Sequence, residues 1–157
     1  MKLKLIKKIC LGSIIFSFLF LSCSNEQIDI CNPLFAISVP EFKDSSSDNR
    51  CKLGGVYFDF YNKAECSVAY LEVRMNVYDG NTGKIAFTGQ GTLIEDQIIW
   101  IKSGEKKNVC IPLDKYITVI PKEGYFIDQF YVSWIEYEDG RYWSDEYGVY
   151  AVSGKGQ

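Results

Sequence analysis

The stretch SVAYLEVRMNVYDGNTGK, residues 67–84, decides the fold. Leu71, Val73, Met75 and Val77 occupy every second position, and Tyr70, Glu72, Arg74, Asn76 and Tyr78 fill the places between and around them. Successive side chains of an extended chain point to opposite sides, so a period of two describes a strand with one apolar face and one mixed face. Asp79-Gly80-Asn81-Thr82-Gly83 follows, with residues that accept a left-handed backbone or hydrogen-bond their own turn, and the chain reverses there. A half-buried strand ending in a tight turn is the unit of an all-β domain.

On either side of this stretch the pattern repeats. Gly54 to Asn62 alternates Val56, Phe58 and Phe60 with Tyr57, Asp59 and Tyr61. A third strand is expected from Lys84 to about Ile94, with Gly89 and Gly91 marking a bulge or a close approach, and a short fourth from Gln97 to Lys102 around Trp100. Val109, Ile111 and Leu113 share one face of a fifth, and Asp128 to Glu138 reads as a sixth. Asp139-Gly140 predicts a two-residue type I′ hairpin returning through Arg141 to Ser144, with a last strand from Tyr147 to Val152. Lys115 to Gly124, which contains Pro121, reads as a connection, and no segment holds a helical period over three turns. About seven short strands without alternating helices predict a single antiparallel, immunoglobulin-like β-sandwich. It is assigned to residues 51–157, which is enough chain for one two-sheet core.

The N-terminus points to export. Lys2, Lys4, Lys7 and Lys8 precede an apolar run, Ile9 to Leu21, that is too short for the roughly 20 residues of a membrane-spanning helix. The run ends in Phe20-Leu21-Ser22-Cys23, which resembles the lipobox of bacterial lipoproteins, where signal peptidase II cuts before a cysteine that becomes diacylated. The resemblance implies a signal peptide over residues 1–22, a palmitate-type anchor on Cys23, and a place in the cell envelope outside the cytoplasm. Each buried acyl CH₂ contributes about 0.8 kcal/mol, so several chains hold a protein on a bilayer without a spanning helix. Residues 23–50 then read as a lipidated tether. Within it, Leu34 to Ile37 could supply a first edge strand, and Lys43 to Arg50 is a solvated loop by composition.

Removing the four signal lysines leaves 13 basic against 20 acidic residues, a net charge of −7. Such a balance argues against nucleic acid as a partner, because that binding is driven by phosphate neutralisation. It also argues against a basic grip on anionic lipid headgroups. With Cys10 in the signal and Cys23 acylated, Cys31, Cys51, Cys66 and Cys110 remain, and four cysteines in an oxidising compartment allow three pairings. If the strand starting at Gly54 runs antiparallel to the one ending near Leu113, Cys51 and Cys110 come together. A zinc site is disfavoured by the absence of histidine and of any CxxC pair, and no cofactor is expected.

Met75-Asn76-Val77-Tyr78-Asp79 resembles the signature of FxLYD domains, small immunoglobulin-like modules of bacterial envelope lipoproteins. Met75 stands at the Phe position and Val77 at the Leu position, while Tyr78 and Asp79 match. Gly83 matches the turn glycine, Ile101 to Glu105 resembles the family's loop ahead of the next strand with Ser103 where Pro is usual, and GGVYFDFYNKAE resembles its first strand and Asn-containing turn. The resemblance covers about half of the chain beyond the signal. It implies a fold and an envelope setting, with Tyr78 and Asp79 fixing a strand end, and brings no catalytic residues.

Chemistry is sparse. Without histidine, Ser-His-Asp and Cys-His arrangements are excluded. Ser103-Gly104-Glu105-Lys106 has Ser-x-x-Lys spacing but lies in a turn instead of at a helix start. Carboxylate pairs at Glu95-Asp96, Glu136 with Glu138, and Asp145-Glu146 could serve a glycosidase, but adjacent residues of a strand point to opposite faces and these acids cluster at turns, where solvated charge is ordinary. Asp79 and Asn81 are oxygen donors that calcium would take, though a turn explains them. The richest surface candidates are Trp134, Tyr137, Tyr142 and Trp143 with acids around them, extended by Tyr57, Tyr61, Tyr70 and Tyr131. Exposed Trp and Tyr give large contact area at low entropy cost. The expected function is a non-enzymatic interaction or accessory module on an envelope lipoprotein. A surface glycan-binding module using exposed Trp and Tyr is the alternative, and a carboxylate-pair hydrolase the least favoured.

Overall fold

The computed structural model describes residues 32–87, 89 and 91–154, and within them the chain is an antiparallel β-sandwich of eight strands. These are β1 (Phe35–Ile37), β2 (Glu41–Asp44), β3 (Gly54–Asn62), β4 (Val68–Asp79), β5 (Leu93–Ile101), β6 (Lys106–Pro112), β7 (Tyr125–Tyr137) and β8 (Tyr142–Ser144). One sheet has the order β5-β4-β7-β8. In the other, β3 is central: β6 pairs along one edge, and β1 and β2 lie end to end along the opposite edge.

The alternation of residues 67–84 is realised in β4, whose Leu71, Val73, Met75 and Val77 are buried. They meet Val56, Phe58 and Phe60 of β3 and Val109 and Ile111 of β6 in one continuous core, where Phe58 and Phe130 rings lie 4.7 Å apart. Each such side chain contributes about 1.5–3 kcal/mol by leaving water. Asn62 stitches the two sheets together. From the end of β3 its amide donates to the carbonyls of Cys66, Ile101 and Lys102, and its oxygen accepts the Ala64 N–H. A fully buried amide is tolerated because its donors and its acceptor are all satisfied.

Four details depart from the sequence reading. First, the stretch read as a tether carries two strands that pair with β3: β1 is the edge strand that Leu34 to Ile37 could supply, whereas β2 takes in Lys43 and Asp44 of the expected solvated loop. Between them Ser38 keeps the edge closed, because its N–H donates to Asp59 O and its hydroxyl accepts the Asp59 N–H. Second, the expected third and fourth strands are replaced by one. Among the described residues from Lys84 to Thr92 there is only an isolated bridge, Tyr78 to Ile85, and β5 runs unbroken through Glu95-Asp96. Glu95 faces inward at 8% exposure, where Lys115 Nζ pairs with it at 2.9 Å and the Tyr116 hydroxyl donates to it at 2.6 Å. Third, the hairpin after β7 is not type I′. Gly140 takes φ 84° but Asp139 does not enter the left-handed region, and the Gly140 N–H donates to Tyr137 O. That is a three-residue loop built on a type I turn with a left-handed glycine. Fourth, Tyr147 to Val152 forms no strand; its backbone joins the sheet through the bridge Phe130 to Val152, and Tyr150 packs on Trp143.

Two bulges in β7 decide what faces where. Glu72 opposes Trp134 while Val73 opposes Val132, so Ser133 is the extra residue. A second irregularity falls at Gln129, whose φ of 48° is left-handed. Each bulge shifts the pleat, so parity counted along β7 from one end fails at the other.

Candidate functional site

The outer face of the β5-β4-β7-β8 sheet is where exposed apolar side chains collect. Odd-numbered residues of β5 point into the core. Its even-numbered residues point out, leaving Ile94 51%, Ile98 79% and Trp100 59% exposed. Opposite them on β4 stand Arg74, Glu72 and Tyr70, paired with Ile94, Asp96 and Ile98. The next row belongs to β7, with Tyr131 beside Arg74, Trp134 beside Glu72 and Glu136 beside Tyr70. β8 adds Tyr142 beside Glu136.

Electrostatics on this face are local and mostly satisfied. Glu72 accepts from Ser133 Oγ at 2.5 Å and pairs with Arg74 at 3.3 Å, and the Trp134 indole N–H donates to Glu136 at 3.2 Å. Partial burial, reinforced by the negative Asp96 and Glu72, raises the Tyr70 hydroxyl above its ordinary pKa. The charged strip thus lies over β4 and β7 and reaches β5 only at Asp96, while the apolar side chains of this face, Ile94, Ile98 and Trp100, belong to β5.

Of the four aromatic residues singled out in the sequence, the structure brings two together on this face and sends two inside. Trp134 and Tyr142 stack at 4.5 Å with their planes 12° apart, a cross-strand pair that covers one face of each ring. Trp143 is fully buried, edge-on to Phe35 at 4.8 Å, and Tyr137 is 3% exposed. Burial pushes the Tyr137 hydroxyl up to about 12. Neither belongs to an exposed surface, because the bulge at Ser133 and the three-residue hairpin turn them inward. Of the tyrosines thought to extend the surface, Tyr61 is exposed, Tyr70 and Tyr131 are half-buried, and Tyr57 is completely covered on the outside of the other sheet.

The remaining candidates have structural employment. Met75 and Val77 are core residues, Tyr78 packs on Phe126 at 5.6 Å, and Asp79 accepts the N–H groups of Asn81 and Thr82. Gly83 has φ 66°, and the Asn81 side-chain oxygen accepts the Glu123 N–H. Ser103 donates to Ala64 O at 2.7 Å while Lys106 pairs with Asp59 at 2.8 Å, so the Ser-x-x-Lys members serve separate partners. Glu95 points inward and Asp96 outward, Glu136 and Glu138 are exposed, and Asp145 is buried beneath the turn it holds through the N–H groups of Tyr147 and Tyr150, with Glu146 exposed beside it. Among the described residues no group of three or more His, Cys, Asp or Glu converges as a metal site. An open cleft of about 900 Å³ at one end of the sandwich, between Phe42, Asp79, Glu123 and Tyr125, presents acidic and aromatic groups but no cation. Cys51 and Cys110 lie side by side, Cys66 accepts from Arg141 at 3.2 Å, and Cys23 and Cys31 lie outside the described residues.

Sequence reading placed Trp100 on a strand but did not mark Ile94, Ile98 and Trp100 as a surface. The signal was there after Gln97, where Ile98-Ile99-Trp100-Ile101 is apolar at every step on a strand with only one buried face. Comparison with protein-family models, curated proteins and solved structures finds no match.

Proposed function

We propose that this chain is a cell-envelope lipoprotein, anchored to a membrane through acylated Cys23, whose sandwich is a non-enzymatic module that binds a protein partner across β5. The observation that carries the reading is the exposed row Ile94, Ile98 and Trp100 on a nine-residue edge strand. Edge strands that are long and apolar pair with other chains unless something blunts them, and contiguous exposed apolar side chains mark contact surfaces. At that edge Lys107 Nζ holds Trp100 O, and the charges of Glu95 (inward) and Asp96 (outward) blunt the middle of the strand, which leaves Ile98 and Trp100 as its open apolar end. The occupant is a protein segment with an apolar row of its own, laid against or added to β5. Glycan stacking through Trp134 and Tyr142 is the weaker reading, since those rings cover each other.

The test is crosslinking of the purified acylated protein in envelope extract, comparing the unchanged chain with Ile98→Asp and Trp100→Ala. The reading stands if one captured protein is lost with both variants while their circular dichroism is unchanged. Capture that both variants retain, or binding to glycans instead, overturns it. In parallel, Cys23→Ser is expected to move the protein from the membrane fraction to the supernatant.

A further inference from the structure

The outer face of the β3 sheet carries a second, smaller core that the interaction reading does not use. It consists of Cys51, Tyr57 and Cys110, all buried, and it exists because the β2–β3 loop folds back across the sheet. Asp44 starts the loop by accepting the N–H groups of Ser46 and Ser47. Arg50 lays its guanidinium over the Tyr57 ring at 4.7 Å and donates to the backbone and side-chain oxygens of Asn108 on β6. Asp114 then gathers the N–H groups of Lys52, Leu53 and Gly54. Both ends of the loop are therefore pinned on either side of Cys51.

Between the pins the two sulfurs meet. Cys51 Sγ and Cys110 Sγ are 3.0 Å apart, well inside the spacing at which thiols rest as non-bonded neighbours, and the Tyr57 hydroxyl reaches Cys51 Sγ at 3.6 Å. The floor is Gly55. A Cβ there would stand 2.7 Å from Cys51 Sγ and 3.2 Å from Cys110 Sγ, so the sequence leaves room for two sulfurs and nothing else. The geometry points to Cys51 and Cys110 as a disulfide that locks the β2–β3 loop over Tyr57.

The bond forms by exchange with an external disulfide, carried by an oxidised dithiol protein or a low-molecular-weight disulfide. Cys51, on the loop, attacks one sulfur of the oxidant and releases its first thiol. Cys110 then attacks the Cys51 sulfur, the protein S–S bond forms, and the second thiol leaves. The two thiol protons end on the two released sulfurs, and the oxidant takes both electrons. Burial raises the Cys110 thiol above its ordinary range, which suits the second, intramolecular step better than first attack. The pair closes a long loop of chain, the situation in which cross-linking constrains the unfolded ensemble most.

The test equilibrates the full chain with oxidised glutathione, blocks free thiols under denaturant, and maps peptides by mass. A Cys51–Cys110 linked peptide, lighter by two hydrogens than the separate pair, is expected. The melting temperature of the oxidised protein is expected to fall by roughly 10 °C on reduction, with Cys51→Ala/Cys110→Ala melting near the reduced form. Both cysteines recovered as blocked thiols, or either one linked to Cys66 or Cys31, overturns the assignment. The peptide map reads the unchanged chain, so the result holds even if the double variant does not fold.

Discussion

The two outer faces of the sandwich are built from the same kind of strand and end differently. On the β3 sheet, Tyr57 points away from the core and is nonetheless fully buried, because the β2–β3 loop, Arg50 and two cysteines cover it. On the β4 sheet, Trp100 and Ile98 also point away from the core, and nothing in the described chain covers them. An outward aromatic is thus a stability element on one side and an available contact on the other. What separates them is not residue type but whether a loop with its own anchors lies overhead.

The sharpest break in that contrast is Tyr57→Ala. Removing a buried aromatic beneath the loop is expected to cost about 3–5 kcal/mol in urea unfolding, whereas Trp100→Ala is expected to stay within about 0.5 kcal/mol. Equal costs at the two sites would erase the distinction. Next in size is Asp114→Ala, which leaves the loop N–H groups of Lys52, Leu53 and Gly54 to water; about 1 kcal/mol is expected, with faster amide exchange confined to the β2–β3 loop.

Acid should loosen the same face. Backbone N–H donors hold the Asp114 carboxyl below the usual carboxylate range, and Arg50 holds that of Asp48 at about 2. A folded-state pKa below the unfolded value adds stability that is complete above roughly pH 5 and is lost as pH falls through the folded value. The melting temperature is therefore expected to hold from pH 7 to 5 and then decline towards pH 2, with a shallower decline in Asp114→Ala. A decline of equal steepness in both proteins would remove Asp114 from the account. The smallest effect on stability belongs to Ile98→Asp, expected within about 0.5 kcal/mol, while capture of the partner is lost. That pairing of neutral stability with lost binding is what an open face should give.

Much of this was legible beforehand, for reasons that differ by element. β4 shows itself because its two faces differ in chemistry at every step. The sequence pattern divides β5 at Glu95-Asp96, and only the inward partners Lys115 and Tyr116 make a buried Glu95 acceptable. The pairing of Cys51 with Cys110 was foreseeable once β3 and β6 were taken as antiparallel, and Tyr57 opposite Cys110 is the register that brings them near. Trp143 and Tyr137 could not be sorted from Trp134 and Tyr142, since their faces depend on an extra residue at Ser133 and on the length of the hairpin loop.

By itself, the sequence determined local quantities: the period of two, the turns at Asp79 to Gly83 and around Gly140, and the absence of helices among the described residues. Those follow from backbone sterics and from side chains a few positions apart. The tertiary structure alone decided which outer face is closed. The contacts that close it join Arg50 to Asn108 and Asp114 to Lys52 and Leu53, across 58 to 62 positions of chain, and no local pattern encodes a meeting at that range.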